Sequence, residues 1–128
     1  MKMDAFLKRH SLPVFALLLA LLPLLCSCGL LPPPPADMIQ GGAVDNAYRA
    51  YNKGDYATAL GELSLAEFYG TMSDERHAEI LYLKGRCLEG MGHRLEAVSL
   101  YEYLIKTFHD TEFAARAKGR LEELRKAP

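Results

Sequence analysis

Three cysteines, Cys26, Cys28 and Cys87, and four histidines, His10, His77, His93 and His109, are the residues here whose side chains most readily do chemistry. A thiol is a nucleophile or a metal ligand only as the thiolate, so its surroundings decide its use. The histidines show no His-x-x-x-His or Glu-x-x-His spacing that would place two metal ligands on one helical face. No Gly-x-Ser-x-Gly, no phosphate loop and no close carboxylate pair beyond helix-surface charge is present. No catalytic residue, metal or cofactor is therefore expected, and the chain does not read as an enzyme. Cys87 sits in a helical pattern and reads as a small buried hydrophobe. Cys26 and Cys28 differ, because an apolar run leads straight into them.

That run extends from Leu12 to Leu25, after the basic residues Lys2, Lys8 and Arg9. A basic head, an apolar core of about 7–15 residues and a small residue before the cut describe a secretion signal. A spanning helix would need about 20 apolar residues. The next residues, Leu25-Cys26-Ser27-Cys28, resemble the bacterial lipobox, with Cys28 in the cysteine position; Cys26 does not fit there, because bulky Leu25 would stand against the cut. The resemblance implies cleavage after Ser27 and a diacylglycerol on Cys28, usually with an added amide-linked chain. Two or more acyl chains hold a protein on a bilayer, where one gives only marginal binding. Gly29 stands where an Asp would signal inner-membrane retention, so the resemblance points to an outer membrane, with the protein facing the periplasm.

Three basic residues and one acidic residue precede Cys28, so 12 basic and 15 acidic of the chain's 15 and 16 remain after cleavage. That balance gives no footprint for nucleic acid. Cys87 would be the one cysteine left with a thiol, so no intramolecular disulfide is expected.

The four prolines Pro32–Pro35 cannot enter a helix interior and predict a stiff polyproline II spacer. Gly41-Gly42 reads as the edge of the folded part. The expected organisation is a signal peptide over 1–27, a lipidated cysteine and Pro-rich linker over 28–42, and a helical domain over 43–128. Within that domain, apolar stripes at helical spacing run through Tyr56, Ala59, Leu60, Leu63, Ala66 and Phe68, then Leu81, Gly85 and Leu88, then Ala97, Tyr101, Leu104 and Phe108. Breakers at Lys53-Gly54-Asp55, Gly70–Ser73, Gly90–His93 and His109–Thr111 separate them. Gly54 and Gly92 suit C-terminal caps, and Asp55, Ser73 and Asp110 suit N-caps. The pattern predicts an all-α fold of five helices near 43–53, 55–69, 73–90, 94–108 and 111–126.

Lys84-Gly85-Arg86 returns as Lys118-Gly119-Arg120, an offset of 34 in the numbering. With Leu81, Leu88, Ala97 and Tyr101, and with Ala47, Tyr51, Tyr56, Ala59 and Leu63 in an earlier unit, this spacing resembles the tetratricopeptide repeat. Lys84 replaces the expected Leu, His109 and Thr71 replace the terminal prolines, and Ala43 replaces the leading aromatic. Ala59 to Ala97 is 38, four over the period. The resemblance implies antiparallel helix hairpins stacked as an α-solenoid, with the last helix as a polar cap. The first helix of each hairpin would then line a groove for a protein partner, presenting Tyr48, Tyr51, Tyr82, Arg86, Glu89, Phe113, Arg116 and Arg120. Tyrosine and arginine are enriched at binding hot spots, and arginine grips carboxylates with two bonds. Two and a half units are few for a stable array, so a completing partner or self-association is expected, unless the fifth helix closes the bundle alone.

These resemblances together imply a membrane-anchored adaptor for protein partners of a bacterial envelope complex. The competing reading is a structural envelope lipoprotein with no dedicated partner.

Overall fold

The computed structural model describes residues 33–69 and 71–126. The expected signal peptide, Cys28 and the start of the linker lie outside the described residues. Pro35 has φ −60° and ψ 143°, the polyproline II region, and helix α1 begins directly after it. Five α-helices follow: α1 (Ala36–Asn52), α2 (Tyr56–Phe68), α3 (Asp74–Gly90), α4 (Arg94–Thr107) and α5 (Glu112–Lys126). The fold is all-α, as expected.

The turns work as their residues predict. At the end of α1 the Asp55 amide donates to the Ala50 carbonyl and Gly54 takes φ 77°; at the end of α3 the His93 amide donates to Leu88 and Gly92 takes φ 81°. A side chain at that φ is strained, which is why glycine closes both hairpins. Asp55 accepts from the Thr58 amide at 3.1 Å and Ser73 from the Arg76 amide at 3.2 Å, so both cap their helices. The cap of α5 is Thr111, whose Oγ1 accepts from the Ala114 amide at 3.2 Å, and not the expected Asp110.

The first helix starts well before the expected 43, at Ala36, and Gly41-Gly42 lies inside it rather than at the domain edge. Burial is the reason. Ala43, Val44 and Ala47 pack with Leu63, Ala66, Ile80 and Leu83, while the Gln40 amide reaches the Ala66 carbonyl at 3.4 Å. Tertiary contact of this kind overrides the roughly 1 kcal/mol that each helical glycine costs relative to alanine.

The same shift exposes the structural period. Helices α1, α3 and α5 begin at Ala36, Asp74 and Glu112, and α2 and α4 begin at Tyr56 and Arg94, so each offset is 38. The shorter echo of the Lys-Gly-Arg sequence follows core register instead: Ile80, Leu83 and Cys87 are buried on α3, and their counterparts at that offset, Ala114, Ala117 and Leu121, are buried on α5. The two offsets differ by about one helical turn, because α3 carries an extra turn ahead of its core positions.

Consecutive helices pack antiparallel, α1 on α2, α2 on α3, α3 on α4 and α4 on α5; α1 also touches α3, and α3 touches α5. The first helices of the hairpins thus form an inner layer, with α2 and α4 outside. The core between the second hairpin and α5 holds Ala78, Leu81, Ala97, Tyr101, Leu104, Phe108, Ala114 and Ala117. At Gly85 the second hairpin leaves no room for a side chain. A Cβ there would lie 2.4 Å from Cε1 of Tyr101.

Phe68 departs from its expected core position. It is 80% exposed, because Ala59, Leu63 and Ala66 already fill the buried face of α2 and Phe68 is the helix's last residue. The outer face of α5 carries Ala115, Gly119 and Glu122, the repeat counterparts of Leu81, Gly85 and Leu88, and all three are exposed. An apolar seam in one helix is thus a solvent-exposed surface in its counterpart. Arg94 donates to the Leu124 carbonyl and Arg125 pairs with Glu102 at 3.0 Å, fixing α5 on α4.

Candidate functional site

The eight expected groove residues all fall on the inner layer: Tyr48 and Tyr51 on α1, Tyr82, Arg86 and Glu89 on α3, Phe113, Arg116 and Arg120 on α5. A chain of contacts joins them across the three helices. Tyr48 donates its hydroxyl to Glu79 Oε1 at 3.1 Å. The Arg86 guanidinium lies 5.6 Å from the centre of the Tyr51 ring, and Tyr51 stands 5.7 Å from Tyr56. Tyr82 sits between Tyr101 at 5.9 Å and Phe113 at 5.8 Å. Arg116 covers the outer ring, 5.0 Å from the centre of Phe113.

Electrostatics concentrate on Glu89, whose side chain is 9% exposed. Arg120 holds it with a fork, Nη2 to Oε2 at 2.6 Å and Nε to the same oxygen at 2.8 Å. Tyr101 donates its hydroxyl to Oε1 at 2.6 Å. Burial alone would push the Glu89 carboxyl up, but the hydrogen bonds from Arg120 and Tyr101 and the charges of Arg120 and Arg86 outweigh it, leaving the group below its ordinary value. Burial raises the Tyr101 phenol far above its normal range, and the bond to Glu89 adds to the effect. Burial likewise pushes Tyr48 up to about 12, with the Glu79 charge and hydrogen bond behind it.

Most of the charge on this face is therefore paired within the domain. Arg116 pairs with Glu112 at 2.6 Å, and Arg120 with Glu123 at 2.5 Å as well as with Glu89. Arg86 is held more loosely: its buried Nε lies 3.7 Å from Glu89 Oε1, an ion pair too long for a hydrogen bond. It opens on a cleft of ≈ 210 Å³ lined by Tyr51, Tyr56, Arg86, Glu89, Gly90 and Arg120. The cleft offers an incoming group cationic donors, with aromatic rings on one side.

The sequence places these eight positions but gives no sign of Tyr101, Glu79, Tyr56 and Glu123 as their supports. Tyr101 reads as core, and only the fold shows that its hydroxyl emerges on Glu89.

Cys87 is fully buried on α3 and its thiol is pushed up to about 11 by that burial. Among the described residues no group of three His, Cys, Asp or Glu side chains could hold a metal ion, and no helix is long and apolar enough to cross a membrane. Compared with known protein families, curated proteins and solved structures, the chain matches none.

Proposed function

We propose that this chain is a lipid-anchored adaptor of the bacterial envelope, held on the membrane through Cys28 and binding a protein partner on its inner helical layer. The lipobox-like Leu25-Cys26-Ser27-Cys28 supports the anchor, and the Pro-rich stretch after it supports a short tether. The adaptor reading rests on one observation above all. Residues from three separate helices, Tyr51, Arg86 and Arg120, converge on a single open cleft. A carbonyl or carboxylate of a bound segment would meet guanidinium groups and aromatic rings there. The helix order of stacked hairpins supports a tetratricopeptide-type array, although its helix starts recur one turn later than that family's period. Outer-membrane residence, facing the periplasm, rests on Gly29 in place of an Asp.

The internal pairing of Arg116 and Arg120 favours a second reading, a structural envelope lipoprotein whose inner layer is an ordinary solvated surface. Crosslinking in cells separates them. A dedicated partner crosslinks to positions on α1, α3 and α5 and is lost in an Arg86→Glu variant that melts like the parent. Crosslinks only to lipid and abundant neighbours would sink the adaptor. A mass measurement tests the anchor: the native chain should begin at an acylated Cys28.

A further inference from the structure

Helix α5 has one face that no other element covers among the described residues. It packs only on α3 and α4, and Ala114, Ala117 and Leu121 are its buried side chains. At about 100° per residue, Gly119 points away from those three. Around it on the outer face lie Glu112, Ala115, Arg116, Glu122, Glu123 and Lys126, all exposed, and nothing stands within 4 Å of a Cβ built on Gly119. The second hairpin shows what such a face accepts. On α3 the counterparts of Ala115 and Gly119 are Leu81 and Gly85, and there a helix closes over the face, with the Tyr101 ring of α4 against Gly85. A glycine at the centre of a face lets another backbone come close.

The order of charges on α5 says what lies there. The face is acidic two turns before Gly119, at Glu112, and basic two turns after it, at Lys126. A parallel mate of the same sequence would set like charge on like. An antiparallel mate related by a two-fold axis at Gly119 reverses height along the helix and keeps the flank, so Glu112 meets Lys126 of the second copy about 10 Å from the axis. On the flank shared with the inner layer, Arg116, three residues before Gly119, meets Glu123 of the second copy, four residues after it. On the other flank Ala115 meets the stem of Glu122, and Lys118 its carboxylate. These charged pairings all join opposite signs, and the two helix dipoles run opposed. Arg116 is already paired with Glu112, and Glu123 with Arg120, but surface pairs within one helix are rearranged at little cost.

We infer that α5 is a self-association helix: two copies of this chain pair antiparallel along its outer face, with Gly119 at the two-fold axis. Because the axis keeps the flank, Arg116 and Arg120 of both copies face the same side, and the two clefts lined by Arg120 open together. A partner with two matching segments would engage both, the second contact being intramolecular. The pairing stands without the adaptor reading, and only this consequence rests on it.

Oxidative crosslinking of the full-length protein in detergent tests the axis. Gly119→Cys is the probe, Ala115→Cys the register control, and the parent with its native cysteines the blank. Residue 119 meets its own copy, whereas residue 115 lies about 12 Å along the helix from its own copy, beyond the reach of a disulfide. A disulfide-linked dimer is expected for Gly119→Cys alone. Light scattering from micromolar to near-millimolar protein then reads the charge order. Glu112→Lys and Lys126→Glu should each weaken the dimer about tenfold, since two pairs per dimer are reversed, and the double exchange should restore it. Gly119→Arg, which has open space in the monomer, should keep its helix content and lose the dimer. A monomer throughout the range overturns the inference. So does a dimer that survives Gly119→Arg, because another surface then holds the copies, and so does crosslinking at 115 equal to that at 119, which rules out an axis at Gly119.

Discussion

Gly85 of α3 and Tyr101 of α4 share space that only one side chain can fill: a Cβ on residue 85 would lie 2.4 Å from Cε1 and 2.7 Å from Cζ of the tyrosine. Tyr101 is fully buried and its hydroxyl is tied to Glu89 at 2.6 Å, so the ring has no direction in which to retreat. Gly85→Ala should therefore destabilise by about 1–3 kcal/mol, as overpacking does, despite the better helix propensity of alanine. Gly119 stands in the same Lys-Gly-Arg sequence, yet nothing lies within 4 Å of its would-be Cβ. Gly119→Ala should stabilise by about 0.5–1 kcal/mol. Thermal or denaturant melts of both variants check this opposition, and equal shifts in one direction would contradict the packing.

Glu89 gives the domain a pH-dependent component. Its carboxyl is held below its ordinary value in the fold, so the unfolded chain binds a proton more readily. The stability it contributes is fully present above the unfolded carboxylate pKa, about 4.3, and is lost as pH falls through the lower folded value. Glu89→Gln removes the charge that Arg120 and Tyr101 hold. It should cost about 2 kcal/mol at neutral pH and flatten the acid limb of the stability curve. Melting from neutral pH down to about pH 3, below the unfolded value, reads both effects, and an unchanged acid limb would show that Glu89 is not the group responsible.

The two hairpin turns make a matched pair. Gly54 and Gly92 both have positive φ, and nothing lies within 4 Å of either would-be Cβ. The penalty of an alanine there is purely conformational, about 1–2 kcal/mol. Gly54→Ala and Gly92→Ala should each lose that amount, and asparagine, which tolerates this region, should lose less. Denaturant midpoints with unchanged m-values would confirm that only the turn is affected.

What could be read from the sequence follows from how local each cause is. Capping and turn residues act over three or four positions, so Asp55, Ser73, Gly54 and Gly92 announced their roles. Helix faces were legible for the same reason, whereas the inner-layer residues from Tyr48 to Arg120 came from the resemblance to tetratricopeptide hairpins. The start of α1 was not legible, since Gly41-Gly42 argues locally for a break, and only the contact of Gln40 and Ala43 with α2 extends the helix through it. Nor was the pairing of Arg120 with Glu89, which lie on different helices and far apart in sequence. Which carboxylate an arginine reaches depends on helix rotation, and a pattern of residue types does not fix that angle.

Cys87 tests whether the inner face of α3 stays closed. The thiol is wholly covered and its pKa is raised to about 11, so under mildly alkaline conditions the reactive thiolate is both scarce and shielded. Attack by a thiol reagent must then wait for α3 to separate from the first hairpin, where Cys87 packs with Ala50 and Ala59. Labelling near the ordinary thiol pKa of about 8.5 should be far slower than for a free cysteine and should reach the free rate only in denaturant. Its rate should also rise in Gly85→Ala, because that substitution raises the open population. Rapid labelling of the folded parent would mean that α3 opens readily, and the rigid inner layer on which the cleft depends would have to be abandoned.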